Sequence, residues 1–280
     1  MALQVAMIGF GEAALAFAPG LDAALTQFDI RPGRPKVADV KCASSGQEAL
    51  SGAAAALSLV TADQALRAAT DCAAHLKAGA FWFDMNSVAP DTKRAASRIV
   101  ESAGARYVDV AVMSPVHPAR TAVPLLLSGP HAGDGAALLR SIGFSNVRVV
   151  EGAVGRASSI KMIRSVMVKG IEALTAECVL AADRAGVLGE VLASLDASPP
   201  PTDWKTRADY NLDRMLEHGL RRAAEMEEVV KTLDALGTGS AMTRGTVVRQ
   251  LEIGSLGAKP PEGLTAKLAL LAPNRKAEAA

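Results

Sequence analysis

The sequence predicts an α/β domain with a mostly parallel, doubly wound sheet, followed by an all-α domain. Up to about residue 150, short apolar runs alternate with helix-patterned segments. The first run ends at a glycine-rich turn, Gly9-Phe10-Gly11. Beyond residue 150, apolar residues recur only at helical spacing.

Residues 4–8, Gln-Val-Ala-Met-Ile, fit a buried parallel strand. Glu12–Leu25 follows as a helix rich in Ala and Leu, interrupted by Pro19-Gly20. Phe28-Asp29-Ile30 reads as a brief second strand, and residues 31–36 as loop. Ala54–Val60 and Ala80–Met85 read as strands. Asp63–Leu76 and Pro90–Ala103 read as helices, closed by Gly79 and Gly104. Arg106–Val112, Pro124–Ser128 and Asn146–Val150 are the remaining expected strands. Gly152 and Gly155 then punctuate a turn. A long helix is expected over Ala157–Ala185, where Ile160, Ile163, Met167, Ile171 and Leu174 share helical spacing. Residues 197–201, Ala-Ser-Pro-Pro-Pro, read as a rigid break. A second long helix covers Asp209–Leu236, and a shorter one Ala241–Glu252, with a partly disordered tail from Lys259. The expected domains are 1–155 and 156–280. No Gly/Ser linker separates them, which implies a rigid connection and a cleft between them.

Composition excludes several function classes. The net charge of the 280 residues is +1 and aromatics make up 4%. Such a chain has no electrostatic reason to bind nucleic acid or an anionic membrane, and few rings to stack on bases. Cys42, Cys72 and Cys178 lie far apart, as reduced thiols of a cytoplasmic protein do. His75, His117, His131 and His218 show no metal-ligand spacing. The apolar start, Met1–Phe10, lacks a basic leader and cleavage site. The longest apolar run, Ala53–Val60, is too short to span a bilayer.

The turn after the first strand, Gly9-Phe10-Gly11-Glu12-Ala13-Ala14, reads GxGxxA. Gly9 permits a tight turn, Gly11 lets a pyrophosphate reach the backbone, and Ala14 lets the helix pack on the strand. Asp29 follows at the spacing of a ribose-binding acid. The cofactor is therefore expected to be NAD or NADP. Asp29 favours NAD; Arg31 and Arg34 favour the 2′-phosphate of NADP. Later strand ends supply the rest of such a pocket: Thr61 and Ala62 after one strand, Asn86 and Ser87 after another. Asn86 and Ser87 suit a nicotinamide or its ribose, or else only cap the following turn.

The order of motifs now resembles a known family. GFGEAA, DMNS at 84–87, DVAVMSP at 109–115, LLLSGP at 125–130 and GAVGRASSIK at 152–161 are similar to the β-hydroxyacid dehydrogenases, relatives of 6-phosphogluconate and 3-hydroxyisobutyrate dehydrogenases. The resemblance runs to about residue 190. Beyond it, Asp203-Trp204, Arg207–Tyr210, Asp213–Met215, His218, Arg221-Arg222 and Glu225-Met226 resemble an uncharacterised branch of the same superfamily.

The resemblance implies that Ser114 and neighbouring amides hold a substrate carboxylate. Here Pro115 and Val116 replace the family's two glycines, and proline has no N–H to offer. It implies that Lys161 is the catalytic lysine. Ser165 stands where the family usually has asparagine, and Arg164 replaces another. Positions 161, 164 and 165 share a helix face. A cation there polarises a carbonyl or handles an alcohol proton. To act as a base Lys161 needs a lowered pKa, and Arg164 would push it that way. Without the resemblance, Lys161 reads as a solvated helix lysine. His218, with Arg221, Arg222 and Glu225, reads as a substrate-facing set or as an ordinary charged helix surface. His117 is a second candidate, and Trp204 and Tyr210 are expected to pack the domain.

The expected activity is hydride transfer between NAD(P) and a small hydroxy acid, by a homodimer joined through its helical domain. The alternatives are an imine or carbonyl reductase on the same fold, and a non-catalytic NAD(P)-binding sensor.

Overall fold

Apolar runs that end at a glycine or a polar turn become the central strands of one sheet. Its strands are β1 (Gln4–Ile8), β2 (Ala24–Phe28), β3 (Val40–Cys42), β4 (Ala55–Ser58), β5 (Phe81–Asp84), β6 (Arg106–Val112), β7 (Leu125–Ser128) and β8 (Val147–Val149). The computed structural model describes residues 2–33, 35, 37–197, 203–237 and 239–272. Two compact units form, Met1–Ile163 and Arg164–Ala280.

The sheet order is β3-β2-β1-β4-β5-β6-β7-β8. Every pairing is parallel except β6 with β7. Chain order reverses between β1 and β4, and ligands of such sheets bind outside the carboxyl ends at that point. Helices α1 (Glu12–Phe17), α2 (Gly46–Leu50), α3 (Ala65–Ala73), α4 (Pro90–Ser102) and α5 (Ala132–Ser141) cover the sheet. Alternate strand residues feed alternate faces. Val5, Met7, Leu57, Phe83 and Val110 pack with Phe17 of α1 and Leu139 of α5. Ala6, Ile8, Ala56, Trp82 and Tyr107 pack with Leu50 of α2, Cys72 of α3 and Val100 of α4.

The second unit is helical. Helix α6 (Arg156–Ala185) carries the chain into it, followed by α7 (Leu188–Asp196), α8 (Trp204–Ala235), α9 (Ala241–Gly254) and α10 (Leu264–Leu271). Val179, Leu192, Leu212, Met215, Ile253 and Leu268 form its core. Helices α8 and α9 touch backbone to backbone at Gly219 and Gly254: a Cβ on Gly219 would lie 2.6 Å from the Gln250 carbonyl oxygen.

Several boundaries differ from expectation, for local reasons. The helix expected over Glu12–Leu25 stops at Phe17 and closes in a 3₁₀ turn, Ala18–Gly20, because Pro19 cannot donate. The strand expected at 28–30 is β2, four residues earlier. Its pairing with β1, Gln4 to Ala24 through Ile8 to Phe28, outweighs the helix preference of Ala24 and Leu25. The second long helix starts at Trp204 rather than Asp209, since Asp203 caps it by accepting the Thr206 N–H at 2.9 Å. The tail holds α10, whose Lys267 reaches Asp209 at 2.7 Å and Asp213 at 3.2 Å. Residues 273–280 and most of the expected 197–201 break lie outside the described residues. Trp204 packs against the helical core, but Tyr210 is 58% exposed and does not pack the domain. Among the described residues, no helix is long and apolar enough to cross a membrane, and no three His, Cys, Asp or Glu are grouped to hold a metal ion.

Candidate functional site

The glycine turn sits at the β1/β4 switch. Gly9 has φ +87°, and a Cβ there would lie 2.8 Å from the Leu59 carbonyl oxygen, so only glycine fits. Its N–H donates to the Phe28 carbonyl at 2.8 Å. Gly11 caps α1 without a side chain, and nothing lies within 4 Å of where its Cβ would be. That open cradle suits a close-approaching pyrophosphate. Ala14 is fully buried, as helix-on-strand packing requires, whereas Glu12 is exposed and Ala13 half-buried.

Asp29 follows β2 directly. Its Oδ2 accepts the Phe10 N–H and its Oδ1 the Arg31 N–H, both at 2.8 Å. The carboxylate thus locks the glycine turn to the end of β2. The Phe10 side chain belongs to the core. Arg31 and Thr61 are exposed at this rim, and Ala62 opens a 3₁₀ turn capped by Thr61. There Asp63 is held below its ordinary pKa chiefly by the Gln64 side chain, with Thr61 and the Arg31 charge assisting. Arg34 lies outside the described residues.

The end of β5 brings two expected groups together. Asn86 is buried; its amide donates to Ser58 Oγ at 2.9 Å and Asp84 Oδ1 at 2.7 Å. Among the described residues its own Oδ1 is buried without a hydrogen-bond partner, an unusual state for a polar atom. It offers an acceptor to a donor such as a carboxamide or a ribose hydroxyl. Next along the chain, Ser87 Oγ accepts from Lys161 Nζ at 2.5 Å. This contact joins the β5 end to the second turn of α6.

The start of α6 is fixed from below. Gly152 and Gly155 both have positive φ, and a Cβ on Gly155 would lie 3.2 Å from Pro90 Cβ. Asp109 Oδ2 accepts the N–H groups of Gly155 at 3.0 Å and Ser158 at 3.2 Å; Ser128 Oγ accepts that of Ala157 at 3.0 Å. Amides of a helix start that would otherwise go unpaired are thereby satisfied by an anion and a hydroxyl. Ala157 and Ile160 pack against Ala111 and Leu126.

One charged residue here goes unnoticed in the sequence. Lys93 of α4 is 0% exposed and lies between Asp84 and Asp109. The Tyr107 hydroxyl donates to Asp84 Oδ2 at 2.6 Å. Burial, then the negative charges of Asp84 and Asp109, push the Tyr107 phenol well above its ordinary pKa, so it stays a donor. The signal was available: Lys93 falls on the buried face of α4 with Pro90, Ala96, Ser97 and Val100.

The substrate-side candidates are spread over both units. Ser114 and Pro115 are exposed at the carboxyl end of β6, beside β5, and the Ser114 hydroxyl donates to the Pro115 carbonyl at 3.3 Å. His117 is exposed nearby. In the helical unit, Arg164 is exposed, Ser165 is buried on α6, and His218 is half-buried on α8.

Comparison with known proteins follows this geometry. Residues 23–139 match the NAD binding domain of 6-phosphogluconate dehydrogenase, and residues 182–253 match a domain of unknown function, DUF1932. A conserved hypothetical protein from Sinorhizobium meliloti is 34% identical, with TM-score 0.75, over 97% of this chain and 96% of that one. A 3-hydroxyisobutyrate dehydrogenase from Mycobacterium tuberculosis shares the fold at 16% identity and TM-score 0.71, over 97% of this chain and 99% of that one. An uncharacterised 28.5 kDa protein from Methanothermus fervidus is 27% identical over 178 residues, 62% of this chain. The match spans 66% of that relative, just under two thirds of its length.

Proposed function

The chain belongs to the 6-phosphogluconate dehydrogenase-like NAD(P)-binding superfamily, in the branch with a DUF1932 C-terminal domain, and from that premise we propose that it is a dehydrogenase moving hydride between NAD(P) and a small hydroxy acid, with Lys161 as general acid/base. The observation that carries this reading is the Lys161–Ser87 contact at the carboxyl end of β5, beside the partnerless Asn86 Oδ1.

Bound NAD(P) supplies the two-electron hydride chemistry. The backbone of Gly9–Ala13 would face the pyrophosphate, and Asp29 or Arg31 would read the adenine ribose. Thr61 and Ala62 line the β4 end, while Asn86 and Ser87 would orient the nicotinamide side. Lys161 takes the alcohol proton as the carbonyl forms and returns it in the reverse direction. Ser87 holds the lysine tip in place for that transfer. Ser114 and Pro115, at the carboxyl end of β6, contact the substrate.

We read the assembly as a cytoplasmic homodimer with no nucleic-acid partner. Its support is the exposed large apolar side chains of the helical unit, among them Met167 at 65%, Leu174 at 54% and Leu220 at 55%, together with three free cysteines. The test is a panel of hydroxy acids, sugar acids and cyclic imines with both cofactors, read by NAD(P)H absorbance. Turnover of a hydroxy acid supports the reading. Turnover of imines alone moves it to the reductase alternative, and cofactor binding with no turnover of any member moves it to the sensor.

A further inference from the structure

Lys93 takes no part in the chemistry above, yet it touches both groups that build the site's floor. Its ammonium donates to the Asp84 carbonyl at 2.5 Å and to Asp84 Oδ1 at 2.9 Å. It stands 3.6 Å from Asp109 Oδ1 and 3.4 Å from the Val110 carbonyl. Both aspartates are as buried as the lysine.

Each aspartate then holds a different wall. Asp84 Oδ1 accepts the Asn86 N–H at 3.1 Å and its side-chain amide at 2.7 Å, which fixes the turn leading to Ser87. Asp109 Oδ2 accepts the Gly155 and Ser158 N–H groups, one turn before Lys161. Ser87 and Lys161 are 74 residues apart in sequence. One cation therefore joins the two segments whose tips meet.

A buried lysine is a costly way to fill space, since a methionine fills nearly the same volume without a charge to desolvate. Its presence here matches a need for a fixed geometry between two carboxylates. Catalytic groups lose rate steeply when displaced by an ångström or so.

We propose that Lys93 is a positioning residue: through Asp84 and Asp109 it keeps Ser87 and Lys161 in register. The functional part of this statement rests on the catalytic reading of Lys161; the mechanical part does not.

The test is hydrogen–deuterium exchange by mass spectrometry on the full chain without cofactor, for wild type, Lys93→Met and Asp109→Asn. In Lys93→Met, exchange over 84–88 and 155–161 should rise together, by about tenfold more than that of residues 4–11. Asp109→Asn, altered on the α6 side, should also speed 84–88 by way of Lys93. It serves as the second variant if Lys93→Met fails to fold. NADPH affinity, titrated by its fluorescence, should stay within about threefold, while kcat on the best panel substrate falls about tenfold with little change in KM. Exchange that rises in one segment only, rises evenly through the unit, or does not change overturns the proposal. If Lys161→Ala stays active while both segments loosen together, the catalytic reading fails and the coupling stands.

Discussion

Both units bury lysines, and Lys93 of the sheet unit and Lys169 of the helical unit are partnered differently. Lys93 sits among carboxylates whose bonds from backbone amides come from the turns Asp84–Ser87 and Gly155–Ser158. Lys169 of α6 donates to Glu225 of α8 at 2.6 Å, and beside it Glu172 accepts from Arg222 and Gln250. In the sheet unit the ions hold backbone; in the helical unit they join side chain to side chain across helices. Both sets leave buried atoms without a hydrogen-bond partner among the described residues: Asp109 Oδ1 in the sheet unit, Arg222 Nε and Gln250 Oε1 in the helical unit. Glu225 retains 21% side-chain exposure, whereas Asp84 and Asp109 have 1% and 0%. The difference teaches that buried charge near the candidate site fixes where turns lie, while buried charge in the helical unit selects which helix faces meet.

That contrast can be broken by experiment. Lys93→Met should cost about 3–5 kcal/mol in urea unfolding, because it leaves two carboxylates dry and uncompensated. Lys169→Met should cost less, between that figure and the about 0–1 kcal/mol of an exposed pair, since Glu225 still reaches water. Equal losses would erase the distinction.

The glycines sharpen the same comparison. Gly219→Ala forces a Cβ against the Gln250 carbonyl and should lower stability by about 1–3 kcal/mol. Gly11→Ala meets no atom within 4 Å, so the melting temperature should hold while NADH affinity drops by about tenfold or more as the methyl occupies the pyrophosphate's approach. Loss of stability with unchanged affinity would contradict the assigned role of the turn.

Smaller effects come from titration. The folded Tyr107 phenol keeps its proton while the unfolded chain ionises near the ordinary value of 10.0. Its contribution is therefore complete below that pH and is lost as pH climbs beyond it. Tyr107→Phe should cost about 1–2 kcal/mol at neutral pH and flatten the alkaline fall in stability. The Cys72 thiol is pushed up to about 12 by burial, so iodoacetamide should label exposed Cys42 and Cys178 in the native protein and spare Cys72.

Much of the sheet unit was legible in the sequence because buried parallel strands are written as apolar runs with polar ends. The expected Arg106–Val112 strand is β6 to the residue. The three-residue β3, Val-Lys-Cys, is an edge strand with exposed positions and leaves no apolar run to detect. The five-residue α2 is too brief to show periodicity, and α5, whose first turns carry Gly133 and Gly135, was missed, as was α7. At the site, Ser87 and Lys161 were each singled out, but only the fold places them in contact. Lys93 hid because a lysine in Pro-Asp-Thr-Lys-Arg reads as solvated, and its burial depends on Asp84 and Asp109, 9 and 16 residues away.

The most direct test is Lys161→Ala, assayed with the substrate that the panel identifies and with NADPH binding followed in parallel. The account predicts unchanged folding, cofactor affinity within about threefold, and kcat lower by about 10²-fold or more. A folded variant that binds cofactor and turns over at the wild-type rate would contradict it.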